Sequence, residues 1–201
     1  MAKMQSLKNQ IASDLHRSDL TTQIGLAVTS AINHYGRERF WFLEGRAEST
    51  CTSSSTFFAA PTDMVEVDSV LITLSGEKVP LVKMSYTEMD ELDSGKTFGD
   101  PSYWSYYQDN LRFYPVLNAN RLITISYHKK MEEPSASSSN AWTNTAFDLI
   151  RFRSEWDIYN HHLRNPEMAS TTKSGEMEEY NSLIMESNKK ISTGKLRKSG
   201  W

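Results

Sequence analysis

A single cysteine, Cys51, in a chain of 201 residues excludes an internal disulfide and a thiolate metal cluster, and fits a protein made in a reducing cytoplasm. Its neighbours Ser49, Thr50, Thr52, Ser53, Ser54 and Ser55 read as a polar loop, not as the surroundings of a nucleophile. No apolar run approaches the ~20 residues that cross a bilayer. The opening Met1-Ala2-Lys3-Met4-Gln5 has no signal-peptide core, so a soluble protein with no membrane contact is expected. A net charge of -3 shows no excess of either sign, which removes the global signature of a nucleic-acid binder. Walker loops, dinucleotide glycine fingerprints, HExxH and paired CxxC spacings are all missing, so neither cofactor nor catalytic group is expected. His161-His162 is the one histidine pair. Adjacent positions on a helix point about 100° apart, so the pair cannot chelate one metal as an i, i+4 pair does.

What is present begins with a helical stretch. Ile24, Val28, Ala31, Ile32 and Tyr35 recur at spacings of three and four, and Phe40, Trp41, Phe42 and Leu43 follow as a dense apolar knot. This predicts a long helix from Thr21 ending in an aromatic anchor (Phe40, Trp41, Phe42), stopped by a left-handed Gly45. Ser18 or Asp19 is its expected cap. Before it, Leu7, Ile11 and Leu15 at intervals of four predict a short first helix or arm.

Past Gly45 the pattern changes to short β-branched runs. Residues 49–56 are read as a loop, 65–74 and 79–84 as a hairpin turning at 75–78, with Pro80 at an edge. Ser85, with Glu88 three residues on, predicts a short helix start. Tyr103 to Gln108, Leu111 to Pro115 and Arg121 to His128 complete about five strands, enough for a small sandwich or open barrel. A Ser-rich linker then leads to a helix from Trp142 or Thr143 to Leu163, broken at Pro166. A last helix is expected over 174–190, with Met177, Tyr180, Leu183 and Ile184 facing inward.

The fold class expected is therefore α+β, a helical bundle with an inserted small antiparallel β domain. Its divisions are 1–45 and 134–190 for the helical body, 46–133 for the β domain and 191–201 for an extended arm. Lys189, Lys190, Lys195, Arg197 and Lys198 carry five positive charges after Glu186 with no acid among them, and Leu196 and Trp201 add apolar contact area. A basic arm ending in an aromatic reads as a docking segment.

The residues offer two other chemistries. Glu38 or Glu44 beside Trp41 offers a general acid for a cell-wall glycosidase, but a second carboxylate across a sugar groove has no candidate. Tyr103, Trp104, Tyr106 and Tyr107 offer a base-stacking or sugar platform, yet no lysine or arginine lies between Pro101 and Leu111 to track a phosphate backbone. The arm itself remains an alternative nucleic-acid contact.

Several motifs, in order, resemble the head-to-tail adaptor family of short-tailed bacteriophages over about residues 20–165. They are Glu38-Arg39-Phe40-Trp41-Phe42-Leu43-Glu44, Ala60-Pro61-Thr62-Asp63, Gly99-Asp100-Pro101-Ser102-Tyr103, Leu111-Arg112-Phe113-Tyr114-Pro115 and Ile125-Ser126-Tyr127 with the acidic, proline-bearing linker behind it. The resemblance implies a structural virion protein at the head–tail neck, made in the host cytoplasm. It further implies a homo-oligomeric ring of twelve copies bound to the portal ring. Such a ring extends the DNA channel without sequence-specific DNA binding and presents a platform for the tail nozzle or hub and fibres. The family's C-terminal segment typically meets the portal, which assigns that role here to Lys189, Lys190, Lys195, Leu196, Arg197, Lys198 and Trp201. The chain departs from the family at the Ser/Thr run 49–56 and the polar linker 135–140.

Overall fold

The structure, a computed structural model, describes residues 3–92 and 97–191. The N-terminal elements are α1 (Met4–Asp14), α2 (Thr21–Tyr35) and a single 3-10 turn (Trp41–Leu43). Ten strands and one helix follow: β1 (Glu44–Cys51), β2 (Phe57–Ala59), β3 (Met64–Leu74), β4 (Glu77–Pro80), β5 (Val82–Lys83), α3 (Tyr86–Leu92), β6 (Phe98–Gly99), β7 (Tyr103–Tyr107), β8 (Asn110–Tyr114), β9 (Val116–Leu117) and β10 (Arg121–Lys129). The chain returns to helix in α4 (Ala141–Asn144), α5 (Phe147–His161) and α6 (Pro166–Ile191). The described chain divides into two compact units, a helical one (3–43 with 131–191) and a β one (Glu44–Lys130). The fold is α+β.

In the helical unit, α5 packs on α1, α2, α4 and α6. The i, i+4 ladder of α1 buries Leu7 and Ile11, with Leu15 just past its end, and the stripe of α2 buries Ile24, Val28, Ala31, Ile32 and Tyr35. Each fully buried Leu or Ile contributes about 1.5–3 kcal/mol, so it is the stripe rather than local propensity that stabilises these helices. Neither predicted residue caps α2. Asp19 is held by Arg17 through two contacts of 2.7 Å, and the cap position is Leu20, with no side-chain bond.

Nor does α2 run on to Gly45. It ends at Tyr35 with Gly36 as a right-handed cap. Consecutive apolar residues cannot all face one side of an α-helix, whereas a 3-10 turn superposes positions three apart. Phe40 and Leu43 accordingly share one buried face, joined by Leu43 N–H donating to Phe40 C=O at 2.9 Å. Gly45 is a strand residue of β1, where its missing Cβ leaves room for the Tyr127 ring, 2.7 Å from where that Cβ would sit.

The last helix starts at Pro166, not at Ser174, because proline at the first helical position loses no bond and brings a preset φ. Ala169, Thr172, Glu176, Leu183 and Ser187 are its buried residues, with Tyr180 and Ile184 packed alongside. Met177, expected inside, is 55% exposed, one residue and about 100° past buried Glu176. The helix expected to start at Trp142 or Thr143 is split. Asn140 caps the short α4 by accepting from Trp142 N–H at 3.0 Å, and a new helix begins at Phe147.

The β unit contains the sheets β1-β10-β3-β4 and β2-β8-β7-β5, with a parallel β6-β9 pair. Val70, Ile72, Ile123 and Ile125 from the first sheet and Trp104, Leu111 and Phe113 from the second meet in one core. The strand count exceeds the five or so expected because β1, β2, β6 and β9 are added and the expected strand 79–84 is divided into β4 and β5; part of the presumed loop 49–56 is thus strand. Ser49, Thr50 and Cys51 pair with Ile123, Leu122 and Arg121, and the β-branched and hydroxyl side chains fit that ladder. Pro80 lies on the edge strand β4, where its missing donor costs no ladder bond. The hairpin before it turns at Ser75-Gly76, both with positive φ. Helix α3 opens on the expected capping box, Ser85 N–H donating to Glu88 Oε2 at 3.1 Å and Glu88 N–H to Ser85 Oγ at 3.2 Å.

Candidate functional site

The apolar knot becomes a set of interlocked rings. Phe40 stacks on Phe42 with centroids 5.2 Å apart, and Trp142 meets Phe42 edge-on at 5.3 Å and Phe40 at 6.4 Å. Trp41 sits edge-on to Phe42 at 5.2 Å. Trp142 is fully buried, and its indole N–H donates to Met131 C=O at 2.7 Å, so its one polar atom is satisfied where the ring is packed. Tyr180 of α6 stacks on Tyr35 at 5.9 Å and meets Phe40 edge-on at 6.3 Å. The end of α2, the 3-10 turn, α4 and α6 thus converge on one aromatic cluster.

That cluster also holds the start of the basic segment. Lys190 Nζ lies 3.8 Å above the Trp41 ring and 2.6 Å from Glu186 Oε1 one turn earlier. Lys189 and Lys190 belong to the last turn of α6, where cations are favoured by the helix dipole. Lys195, Leu196, Arg197, Lys198 and Trp201 lie outside the described residues, so the structure brings only the root of the predicted arm to the anchor.

A polar network adjoins the rings. Glu176, 2% exposed, accepts from the Tyr35 hydroxyl, from Arg153 Nη1 at 3.1 Å and from Lys173 Nζ at 2.7 Å. Burial alone raises a carboxyl's pKa, but the Lys173 and Tyr35 bonds and the two cations outweigh it and hold Glu176 below its usual value. Burial and the Glu176 bond in turn push the Tyr35 phenol far up. Glu38 accepts from the Tyr180 hydroxyl at 3.0 Å, and a surface pocket lined by His34, Tyr35, Glu38, Lys173, Glu176, Met177 and Tyr180 opens here. Both Glu176 oxygens are occupied and the group is held ionised, so beside Glu38 it is not the free second carboxylate of a glycosidase. Glu44 is an exposed residue of β1.

The remaining candidates resolve individually. Burial pushes the Cys51 thiol up to about 12, which leaves it unreactive. His161 ends α5, 3.7 Å from Asp157 and edge-on to Trp156, and His162 is the cap residue. Among the described residues no group of three or more His, Cys, Asp or Glu side chains is placed to hold a metal ion. Of the β7 aromatics Trp104 is buried, whereas Tyr106 and Tyr107 are 40% and 44% exposed. Tyr107 already stacks on Tyr86 at 4.3 Å. Behind them Arg112, paired across the ladder with Ser105, is buried, ion-paired to Asp90 and set over the Tyr86 ring. Sequence reasoning missed this arginine because its partners lie on α3. No described helix is long and apolar enough to cross a membrane.

No curated protein matches the chain. The family model described as SU10 adaptor protein matches residues 2–188, nearly the whole of it. The chain belongs to the SU10 adaptor protein family, and is thus a structural adaptor protein of a bacteriophage virion.

Proposed function

We propose that this chain is the ring-forming subunit of a head-to-tail adaptor. Twelve copies bind the portal ring through their basic C-terminal segments, extend the DNA channel and offer the tail nozzle and fibres their attachment platform. Family membership supports the adaptor role. The observation that supports the docking role is the anchoring of the segment's root. Lys190 is fixed between Glu186 and Trp41, so the last turn of α6, ending at Ile191, is held at a defined point. Anchoring lowers the ordering cost that an arm meets on binding. A net charge of -3 agrees with a channel through which DNA slides, since strong positive lining holds phosphates.

Deleting residues 192–201 tests the docking role while keeping every described residue of the bundle. A cut before Ser187 would remove that buried residue and the Lys190–Trp41 contact as well. The truncated chain is expected to keep its melting temperature and lose binding to portal rings of the same phage. Unchanged binding contradicts the docking role. If the arm instead contacts DNA, affinity for DNA falls steeply with salt, and the slope counts the phosphates neutralised.

A further inference from the structure

A helix that meets water on one side normally carries charge there, and α2 carries none. Its fifteen residues include no Asp, Glu, Lys or Arg. Lys8 and Asp14 on α1, Asp148 and Arg151 on α5, and Glu178 and Lys189 on α6 show the usual pattern. Thr22, Leu26, Thr29 and Asn33 are exposed and recur at spacings of four, three and four, on the side of α2 opposite buried Ile24 and Val28. That is the spacing of a seam along which one helix meets another. Leu26, in the middle of the seam, is 68% exposed. His34, next to Asn33, is uncharged at neutral pH because burial lowers its pKa. Glu133, 2.5 Å from Thr29 Oγ1, is paired with Lys8 at 2.8 Å. Gly25 adjoins Leu26, and a Cβ added there would meet nothing within 4 Å. Glycine in the body of a helix costs about 1 kcal/mol against alanine, and no contact within the chain accounts for it. A second helix lying close against the seam does.

We propose that this face of α2 packs on α6 of a second copy of the chain, against the stripe formed by Ser174, Met177, Asn181, Met185 and Asn188. The inference rests on the ring reading above and names its side-to-side contact. The α6 stripe is exposed and uncharged as well, and Met177 and Met185 give it adaptable apolar area. Depletion of charge together with exposed apolar side chains is the composition of an interface core. Each copy thus carries two different faces of matching character. A contact that joins one to the other is head-to-tail, the kind that closes a ring. Other partners fit these faces less well. DNA asks for cations, and neither stripe has one. A portal surface that takes a basic arm is acidic, and its carboxylates would be stranded against uncharged side chains. Uncharged faces of the same chain strand nothing.

Thiol cross-linking of the full chain reads this directly, because Cys51 is buried and unreactive and leaves introduced cysteines as the reactive ones. A Leu26→Cys chain is mixed at high concentration with a Met177→Cys or a Met185→Cys chain, with and without portal rings of the same phage, and treated with a short bis-maleimide. A dimer containing one chain of each kind is expected, and none from any of the three chains alone. Adding Gly25→Ala or Thr22→Glu to the Leu26→Cys chain is expected to remove most of that dimer while the melting temperature holds or rises, since both positions are open in the single chain. Absence of the mixed dimer in both settings overturns the contact. So does a dimer of Leu26→Cys with itself, a conjugate of that chain with portal protein, or a yield that both added substitutions leave unchanged. Portal binding is read in the same samples. Copies that load onto portal rings without cross-linking overturn this contact and keep the docking role, whereas cross-linking without loading keeps the contact and contradicts the docking role.

Discussion

Lys190 Nζ stands 3.8 Å over the Trp41 ring while Glu186 holds the same ammonium at 2.6 Å. Residues 149 positions apart in sequence thereby fix the last turn of α6 to the aromatic cluster that follows α2. Both Lys190 and Glu186 are about half exposed, so the ion pair by itself contributes little, and the ring face makes the position specific.

Trp41→Ala should therefore destabilise the last turn of α6 first. Loss of the cation–π contact costs about 0.5–2 kcal/mol, and the ring's edge contact with Phe42 adds to this. Exchange protection near Lys190 should drop and portal affinity weaken, while Trp41→Phe retains part of both. Unaltered protection near Lys190 in Trp41→Ala would remove the anchor from the account.

Glu176 offers a pH test on the acid side. Its pKa is held below the usual carboxylate value, so its contribution is present at neutral pH and is lost as pH falls below about 4.5. Glu176→Gln should lower the midpoint of urea unfolding at pH 7 and flatten the loss of stability below about pH 4.5. Glu176→Ala should cost more, with about 1–3 kcal/mol from the buried Tyr35 hydroxyl that then lacks its acceptor. An acid limb identical in native and Glu176→Gln proteins would contradict this.

Gly45→Ala probes the β unit. The added methyl would lie 2.7 Å from the Tyr127 ring, whose hydroxyl is tied to Asp63 at 2.9 Å and so resists displacement. Overpacking of this kind costs about 1–3 kcal/mol. Thermal unfolding of Gly45→Ala should show it, and Gly45→Ala combined with Tyr127→Leu should recover part of the loss. Gly25→Ala, whose new methyl meets nothing within 4 Å, should instead be neutral or stabilising.

Periodicity made α1 and α2 legible, because one buried stripe at three- and four-residue spacing has few other readings. Alternation did the same for β10, and the Ser85–Glu88 spacing for α3. What escaped the sequence depends on partners far along the chain. Gly45 looked like a helix stop, although its role is set by Tyr127. Cys51 looked like part of a loop, although its strand exists because Arg121 and Leu122 pair with this end of β1. The three aromatics of the knot are conspicuous in sequence, but that Trp142 packs between Phe40 and Phe42, or that Lys190 covers Trp41, cannot be read from spacing. The Tyr35–Glu176 pair spans 141 residues, and only packing brings it together.

The ring reading is tested most directly by native mass spectrometry of the full chain mixed with portal rings from the same phage. The expected result is a single saturated complex with twelve adaptor chains per portal ring, formed by the full chain and not by the chain lacking residues 192–201. No association of the two folded proteins, or binding that never saturates at a fixed number, would contradict it.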